Sequence, residues 1–243
     1  MNRDENFKAP RPRIEDFTFG AETARVFDDM LDRSVPFYSE TQRMIGELAR
    51  DFAQAGSMIY DLGCSTGTTL ISMDRAIAVP VTLIGVDSSV DMLDKARLKM
   101  DQSALRAPYR LVCQTLEDDL QIEDASVIVM NLTLQFVRPL HRDRLIRTLT
   151  RGLRPKGCLI LVEKVLGQDS GLNRLFIQHY YDFKRRNGYS DLEIAQKREA
   201  LENVLIPYQD TENRALLLNN GFGVVETFFR WYNFTGLIAI KTG

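Results

Sequence analysis

Short apolar runs alternate with helix-like stretches through the middle of this 243-residue chain, and that alternation restricts the fold more than any other feature. The runs occupy residues 57–60, 81–86, 109–113, 126–130 and 158–162. Strands joined by helices run parallel, because a parallel pair needs a long crossover connection, and the helices then cover both faces of the sheet. We therefore predict an α/β fold built on a mostly parallel sheet.

The C-terminal part departs from this rhythm. A helix around 213–219 is followed by two β-rich runs at 224–234 and 236–242. Thr235 and Gly236 mark the junction of the two runs, so we predict an antiparallel hairpin that turns there. A sheet with this ending differs from the dinucleotide-binding sheet, which closes with a parallel strand, and is typical of the Rossmann-like methyltransferase sheet.

Two segments lie outside the alternating pattern. Residues 1–56 contain three prolines and a helical run at 40–55, which predicts an N-terminal helical cap. Residues 164–206 are polar and helix-rich, with an amphipathic run at 190–205, and we predict that they form a helical insertion. No repeat or low-complexity segment interrupts the sequence, so we expect residues 1–243 to form a single domain.

Composition excludes several classes of function. The 31 basic residues nearly balance the 33 acidic ones, and the net charge of −2 gives no overall attraction to nucleic acid or an anionic membrane. No apolar run approaches the ~20 residues of a membrane span, and the N-terminus lacks the apolar core of a signal peptide, so we expect a cytoplasmic protein. Three cysteines without CxxC spacing and only two histidines predict reduced thiols and no metal site.

The loop after the first predicted strand has the composition of a ligand-binding turn. Gly63 and Gly67 allow a tight turn and a close approach of the backbone to a ligand, although Ser65 replaces the middle glycine. A tight turn without a ligand would use the same residues. Asp87 supports the binding hypothesis, because a carboxylate at the end of the second strand can accept hydrogen bonds from both ribose hydroxyls. Its alternative role is to cap the next helix, which the two following serines could also do.

Several sequence blocks resemble known families. The loop DLGCSTG at 61–67, the aspartate after the second strand and the closing hairpin resemble the class I S-adenosylmethionine-dependent methyltransferases. Longer blocks resemble the carboxy-S-adenosyl-L-methionine synthase family more narrowly, and they lie at 33–38, 130–136, 181–204 and 229–234. This resemblance spans nearly the whole chain. It implies that S-adenosyl-L-methionine is bound as a substrate without a metal, and that the protein is a homodimer.

The family's contacts with this ligand fall on ten positions of the sequence. They are Tyr38, Gly63, Cys64, Ser65, Asp87, Ser88, Leu116, Glu117, Asn131 and Arg198. Leu116 and Glu117 stand where the family has an acidic residue over the adenine, and which of them contacts the ring stays open. Tyr38 is expected either to lie against the methionine part of the ligand or to be a half-buried anchor. Asn131, which ends the fourth predicted strand, would lie near the sulfonium.

Arg198 carries the main prediction about chemistry. A guanidinium is a poor neighbour for a methyl sulfonium, but it binds a carboxylate through two parallel hydrogen bonds. Arg198 could instead be a solvated residue that pairs with Glu202 one helical turn later. The resemblance favours the first role and assigns Arg198 as the catalytic residue that holds a new carboxylate. Of the other basic clusters, a stripe of arginines at 144, 147, 151 and 154 is expected to face solvent. The run 184–186 could hold an acidic substrate or a partner, but a charge run is usually solvated, and we expect it to face solvent.

The resemblance also implies a reaction. S-adenosylmethionine and prephenate would give carboxy-S-adenosylmethionine and phenylpyruvate, and the first product would supply the carboxymethyl group for modification of a tRNA wobble uridine. No direct contact with nucleic acid is expected. Three alternatives stay open: a conventional methyltransferase acting on tRNA or a small metabolite, a non-catalytic S-adenosylmethionine-binding subunit, and a nicotinamide-dependent oxidoreductase. The closing hairpin argues against the last of these.

Overall fold

Seven strands form one sheet in the computed structural model, which describes residues 3–242. The strands are β1 Ser57–Leu62, β2 Val81–Asp87, β3 Tyr109–Cys113, β4 Ala125–Asn131, β5 Leu153–Lys164, β6 Val224–Trp231 and β7 Phe234–Ile240. Their spatial order is β3-β2-β1-β4-β5-β7-β6; β1 to β5 run parallel, and β7 is antiparallel to both β5 and β6. The prediction of a mostly parallel sheet that ends in an antiparallel hairpin is therefore confirmed.

The hairpin turns earlier than predicted. Tyr232 and Asn233 form the turn, and Tyr232 adopts a left-handed φ of 37°. Thr235 and Gly236 lie inside β7, where a Cβ on Gly236 would come within 2.6 Å of the Phe228 ring. Gly236 is therefore required for close packing between β6 and β7 and not for the turn. For that reason the predicted position of the turn was wrong.

Helices cover both faces of the sheet. One layer consists of α2 (Tyr38–Phe52), α3 (Thr68–Ala76) and α4 (Val90–Gln102), and the other of α5 (Pro139–Gly152) and α8 (Asp210–Asn219). Two adjacent side chains of β1 show the alternation, because Ile59 packs in the first layer and Tyr60 in the second. Burial on both faces explains why β1, β2, β4 and β5 appear in the sequence as continuous apolar runs, whereas the edge strand β3 is only partly buried.

The N-terminal region differs from the predicted cap. The helical run predicted at 40–55 is α2, and its residues Ile45 and Ala49 are fully buried in the layer against the sheet. A cap over the carboxyl ends of the strands is formed instead by residues 3–20 and by α1 (Ala21–Ser34). Residues 1, 2 and 243, which the predicted cap and domain include, lie outside the described part of the chain.

The predicted insertion contains α6 (Ser170–Arg186) and α7 (Asp191–Leu201). The run expected to be amphipathic at 190–205 is helical only as far as Leu201, and its buried side includes Glu193, Gln196 and Lys197. It is therefore not an ordinary amphipathic helix. Among residues 3–242, no helix combines the length and the apolar character needed to cross a bilayer.

Gln196 shows what the buried polar side of α7 does. Its Nε2 donates hydrogen bonds to the carbonyl oxygens of Phe7 at 2.8 Å and Ala9 at 2.9 Å, and its Oε1 accepts one from the backbone N–H of Arg11 at 2.8 Å. Farther along, the backbone N–H of Phe17 donates to the carbonyl oxygen of Ala200. The N-terminal segment is thus held along α7, on the side of the sheet where the carboxyl ends of the strands lie.

Candidate active site

A cavity of about 510 Å³ opens at the carboxyl ends of β1, β2 and β4, where the strand order of the sheet reverses. Side chains of α1, α6 and α7 complete its walls. All ten predicted contact positions line this cavity: Tyr38, Gly63, Cys64, Ser65, Asp87, Ser88, Leu116, Glu117, Asn131 and Arg198. The fold thus brings together residues that are far apart in the sequence, while their contacts with a ligand stay predictions.

The loop between β1 and α3 is a tight turn with three positive φ angles, at Gly63 (76°), Ser65 (48°) and Gly67 (77°). A Cβ on Gly63 would lie 2.5 Å from the Thr133 side chain, so only glycine fits there. Ser65 adopts the left-handed conformation despite its side chain, and its backbone N–H donates to Asp87 Oδ2 at 2.9 Å. This hydrogen bond offsets the strain and fixes the loop against the end of β2.

Asp87 is buried at the end of β2, and the backbone holds its carboxylate. Oδ2 accepts from the N–H of Ser65, and Oδ1 accepts from the N–H of Ser89 at 2.9 Å. The residue that caps α4 is Ser89, because its Oγ accepts from the N–H of Met92. Burial raises the pKa of Asp87, and the backbone hydrogen bonds oppose that rise. The carboxylate retains acceptor capacity for hydroxyl groups in the cavity.

Leu116 and Glu117 occupy the same wall of the cavity in different ways. Leu116 packs against the apolar core, whereas Glu117 Oε1 accepts a hydrogen bond from the backbone N–H of Arg138 at 3.2 Å. Two rings that were not among the predicted contacts, Phe19 and Phe136, also line the cavity and meet edge to face at 5.2 Å. Phe136 belongs to the 130–136 block, but nothing in the sequence around Phe19 indicates that it reaches this site.

Four buried acceptor atoms without a partner belong to Asn131, which lines the cavity, and to Asp61 and Gln42, which adjoin its lining residues Tyr38 and Thr69. They are both carboxylate oxygens of Asp61, Asn131 Oδ1 and Gln42 Oε1, none of which accepts a hydrogen bond from residues 3–242. The amide nitrogens of Asn131 and Gln42 both donate to Thr69 Oγ1. Burial, with a smaller contribution from Asp87, raises the pKa of Asp61 to about 8. Because buried acceptors are rarely left unpaired, this cluster fits a ligand group with several N–H donors, such as an ammonium.

The end of the cavity at β5, away from Asp87 at the end of β2, is rich in cationic side chains. Lys164 at the end of β5, Lys184 on α6, and Lys197 and Arg198 on α7 all line it. Arg198 lines the cavity and is exposed to solvent. It forms no ion pair within the described range and, in particular, does not pair with Glu202. Of the alternative role considered for Arg198, the ion pair with Glu202 is therefore absent, whereas the exposed side chain agrees with a solvated residue.

Lys184 contradicts the expectation that the basic run 184–186 faces solvent. Its side chain is buried, with 6% of the residue exposed, whereas Arg185 is exposed and pairs with Asp182 and Asp191. The helical geometry of α6 explains the difference, because successive residues of a helix point in different directions and only one of the three faces inward. Within residues 3–242, no group of three or more potential ligands that could hold a metal ion is found.

Comparison with known proteins agrees with this geometry. A family model described as a methyltransferase domain matches residues 59–157. A carboxy-S-adenosyl-L-methionine synthase of Methylococcus capsulatus is 55% identical over 99% of this chain and 100% of its own length. Another from Sulfurimonas denitrificans is 48% identical over 93% of this chain and 94% of its own. An O-methyltransferase family protein from Burkholderia thailandensis, at 17% identity, shares the fold with a TM-score of 0.66 over 93% of this chain and 64% of that one.

Proposed function

Because this chain belongs to the carboxy-S-adenosyl-L-methionine synthase family, we propose that it converts S-adenosylmethionine and prephenate into carboxy-S-adenosylmethionine, phenylpyruvate and water. The sulfonium acidifies its methyl group, prephenate loses carbon dioxide as its ring becomes aromatic, and the resulting S-methylene ylide captures that carbon dioxide. The proton lost by the methyl group and the hydroxide that leaves the ring form water, so the reaction is balanced.

The nucleoside part of S-adenosylmethionine fits the end of the cavity at β2. Asp87 would accept hydrogen bonds from the two ribose hydroxyls, since its carboxylate is already oriented by the backbone of Ser65 and Ser89. The adenine would lie between the wall of Leu116 and Glu117 and the aromatic side chains of the lining. Glu117 is the candidate acceptor for the adenine amine, because Leu116 has no polar side-chain atom.

The methionine part fits the cluster of buried acceptor atoms. Its ammonium would satisfy oxygens of Asp61, Asn131 and Gln42 that have no partner among the described residues. Tyr38 lies in the same region, and burial raises the pKa of its hydroxyl far above the physiological range, so it would act as a neutral hydrogen-bonding group. This arrangement would leave the sulfonium and its methyl group facing the cationic end of the cavity.

One observation carries the carboxyl-transfer assignment: Arg198 faces the same cavity as Asp87 without a carboxylate partner in residues 3–242. An unpaired guanidinium near a sulfonium would disfavour the cationic ligand, but it stabilises the ligand once a carboxylate is attached. Removal of water from the cavity strengthens that interaction. We assign Arg198 to binding of the transferred carboxylate.

The test uses prephenate labelled with ¹³C in its ring carboxylate. The protein is incubated with S-adenosylmethionine and labelled prephenate, and the nucleoside products are analysed by mass spectrometry. We expect carboxy-S-adenosylmethionine that carries the label, together with phenylpyruvate. Formation of S-adenosylhomocysteine with methylated tRNA, or with a methylated small molecule, would instead establish a conventional methyltransferase. An unchanged cofactor in every mixture would support a non-catalytic binding subunit.

We further propose that the protein acts as a cytoplasmic homodimer that supplies its product to tRNA modification without contacting RNA itself. The α6 patch, defined as Leu172, Leu175, Phe176 and Tyr232, supports the dimer: Leu172 and Leu175 are 52% and 47% exposed, and Phe176 packs on Tyr232. A patch of exposed apolar side chains on a helix and the adjacent hairpin turn suits docking of a second copy.

The neighbouring Tyr180 and Tyr181 line the cavity, which supports a covering role for this part of α6.

A further inference from the structure

The cationic end of the cavity holds more positive charge than Arg198 alone. Lys184 and Lys197 are buried, with 6% and 7% of each residue exposed, and Lys164 lines the cavity beside them. Only Lys197 has an anionic partner within the described residues, Asp4 at 3.6 Å. Neither Lys164 Nζ nor Lys184 Nζ donates a hydrogen bond to, or pairs with, any side chain in residues 3–242. Lys184 is buried and Lys164 is half-buried, and a cation shielded from water without a partner is costly, so the presence of these two lysines calls for a function.

Lys164 and Lys184, which have no anionic partner among the described residues, both lie against the ring of Tyr180. The ring centroid of Tyr180 lies 4.9 Å from Lys164 Nζ and 4.6 Å from Lys184 Nζ. The electron-rich ring stabilises an ammonium but leaves its hydrogen-bonding capacity unused. Burial lowers the pKa of Lys164 to about 8, and burial together with repulsion from Lys197 and Lys164 lowers the pKa of Lys184 well below its usual value. A bound anion would stabilise both ammonium groups and raise their pKa values.

We propose that Lys164 and Lys184 form a second anion subsite, distinct from Arg198, that binds the carboxylate which the carbon dioxide donor keeps. This inference rests on the proposed function, in which the donor is a dicarboxylate. One carboxylate is transferred and ends at Arg198, and the other stays on the pyruvyl side chain and leaves with phenylpyruvate. Because the two carboxylates have different fates, they need two separate cationic sites. The subsite therefore determines specificity for the donor and does not contribute atoms to the reaction.

Tyr180 and Phe234 give this subsite an apolar wall as well. Their rings meet at 5.2 Å, and both line the cavity beside the lysines. An aromatic wall next to a pair of ammonium groups suits a ligand that combines a six-membered ring with a carboxylate on a short side chain. Prephenate and phenylpyruvate both have that shape, so one subsite can serve the donor and the departing product.

The test measures binding of phenylpyruvate to the protein saturated with S-adenosylmethionine. Phenylacetone, in which a methyl group replaces the carboxylate, is the neutral probe. We expect Lys184→Met and Lys164→Met each to weaken phenylpyruvate binding by about 10-fold or more, and to change phenylacetone and S-adenosylmethionine binding by less than about twofold. Arg185→Met removes an exposed charge from the same helix and is the matched control, with no change expected for any ligand.

The subsite would be refuted if both lysine variants bound phenylpyruvate within about twofold of the wild type. It would also be refuted if the variants lost as much affinity for phenylacetone as for phenylpyruvate, or if the wild-type protein did not bind phenylpyruvate. Replacing a buried ammonium by methionine is expected to preserve folding, and a thermal melt checks each variant. The result is independent of the isotope experiment. Absence of labelled carboxy-S-adenosylmethionine would refute the proposed reaction, whereas only the binding data decide whether the lysine pair recognises a carboxylate.

Discussion

The carboxylate of Asp4 lies 3.6 Å from the ammonium of Lys197, so the first described residues of the chain are paired with the helix that carries Arg198. The same carboxylate accepts a hydrogen bond from the Tyr189 hydroxyl at 2.6 Å, just before that helix begins. Asp4 and Lys197 are both buried. The position of Arg198 over the cavity therefore depends on an interaction between the N-terminal segment and the insertion.

Asp4→Asn should destabilise the protein in a pH-dependent way. Burial lowers the pKa of Lys197 to about 8 even with Asp4 present, and loss of the carboxylate lowers it further. At pH 7 the variant can release the proton of Lys197, which limits the loss of unfolding free energy to about 1.4 kcal/mol. Since the pair contributes only while Lys197 is protonated, the loss should shrink as the pH rises through about 8 and be nearly absent near pH 9.5.

Urea unfolding at pH 7 and pH 9.5 measures this effect. The exposed Asp16→Asn, also in the N-terminal segment, is the control and should change stability at neither pH. A deficit for Asp4→Asn that is the same at both pH values would show that the Lys197 ammonium is not what Asp4 stabilises.

The sequence was most informative where local pattern and burial agree. Strands β1, β2, β4 and β5 were predictable, because a strand covered on both faces is apolar at consecutive positions, as in β4, where Ile128 and Val129 are both fully buried in opposite layers. The edge strand β3 is only partly buried, and its place in the alternating pattern made it predictable. Once these strands are located, the carboxyl ends of β1 and β2 are known, and Gly63 and Asp87 can be placed at those ends. A ligand site at the carboxyl edge of such a sheet is a property of the topology.

Long-range contacts set the limit of prediction from sequence. Phe19 reaches the cavity because Ser89 Oγ donates to its carbonyl oxygen, and no periodic pattern connects those two positions. Lys184 belongs to a basic run that looks solvated until the packing of α6 selects the residue that faces inward. Arg142, fully buried within a stripe of surface arginines, donates from Nε to the carbonyl oxygen of Val137 and from Nη2 to that of Ile206. Each case depends on tertiary structure, which local patterns do not contain.

Asp87→Ala should weaken S-adenosylmethionine binding by ~1 to 3 kcal/mol, because two ribose hydroxyls would lose a charged acceptor and the Ser65 N–H would lose the group that orients it. Calorimetry on the folded variant measures the affinity. Asp91→Ala, which removes an exposed carboxylate from the start of α4, should bind like the wild type. If Asp87→Ala bound S-adenosylmethionine as tightly as the wild type, the assignment of Asp87 to the ribose hydroxyls would be refuted.

Asp61→Asn should stabilise the ligand-free protein, increasingly so as the pH rises. The folded-state pKa of Asp61 is about 8, well above its ordinary value of 3.8, so the native protein binds more protons than the unfolded chain between these values. Its contribution to the free energy of unfolding therefore falls as the pH rises through that range. The asparagine does not titrate, and its advantage over the wild type should grow by about 2 to 3 kcal/mol between pH 5 and pH 7.5.

Unfolding in urea at the two pH values gives the comparison for Asp61. Glu163, whose pKa burial also raises to about 8, is present in both proteins and cancels in the difference. The same variant should bind S-adenosylmethionine more weakly, because the ammonium would lose an anionic partner. A stability difference that does not change with pH would mean that Asp61 titrates normally.

Light scattering tests the dimer and the surface assigned to it. We expect a mass of twice the 27.8 kDa of one chain at micromolar concentration, and a return to the single-chain mass in a variant that combines Leu172→Glu and Leu175→Glu. Leu140→Glu, at a position 87% exposed on α5, is the control and should leave the mass unchanged. A monomeric wild-type protein would exclude the dimer, and a dimeric double variant would place the contact elsewhere.

Arg198→Ala distinguishes carboxyl transfer from ordinary methyl transfer. If Arg198 binds the transferred carboxylate, the variant should bind unmodified S-adenosylmethionine almost as well as the wild type and lose roughly 2 to 4 kcal/mol of affinity for carboxy-S-adenosylmethionine, because a desolvated anion loses its bidentate partner. Calorimetry with both ligands measures the asymmetry, and Arg186→Ala, at an exposed position of α6, controls for removal of one positive charge. In a methyltransferase the guanidinium would have no carboxylate to bind, so both affinities should change alike. Equal losses for the two ligands, or wild-type turnover of prephenate by the variant, would show that the new carboxylate is held by another group.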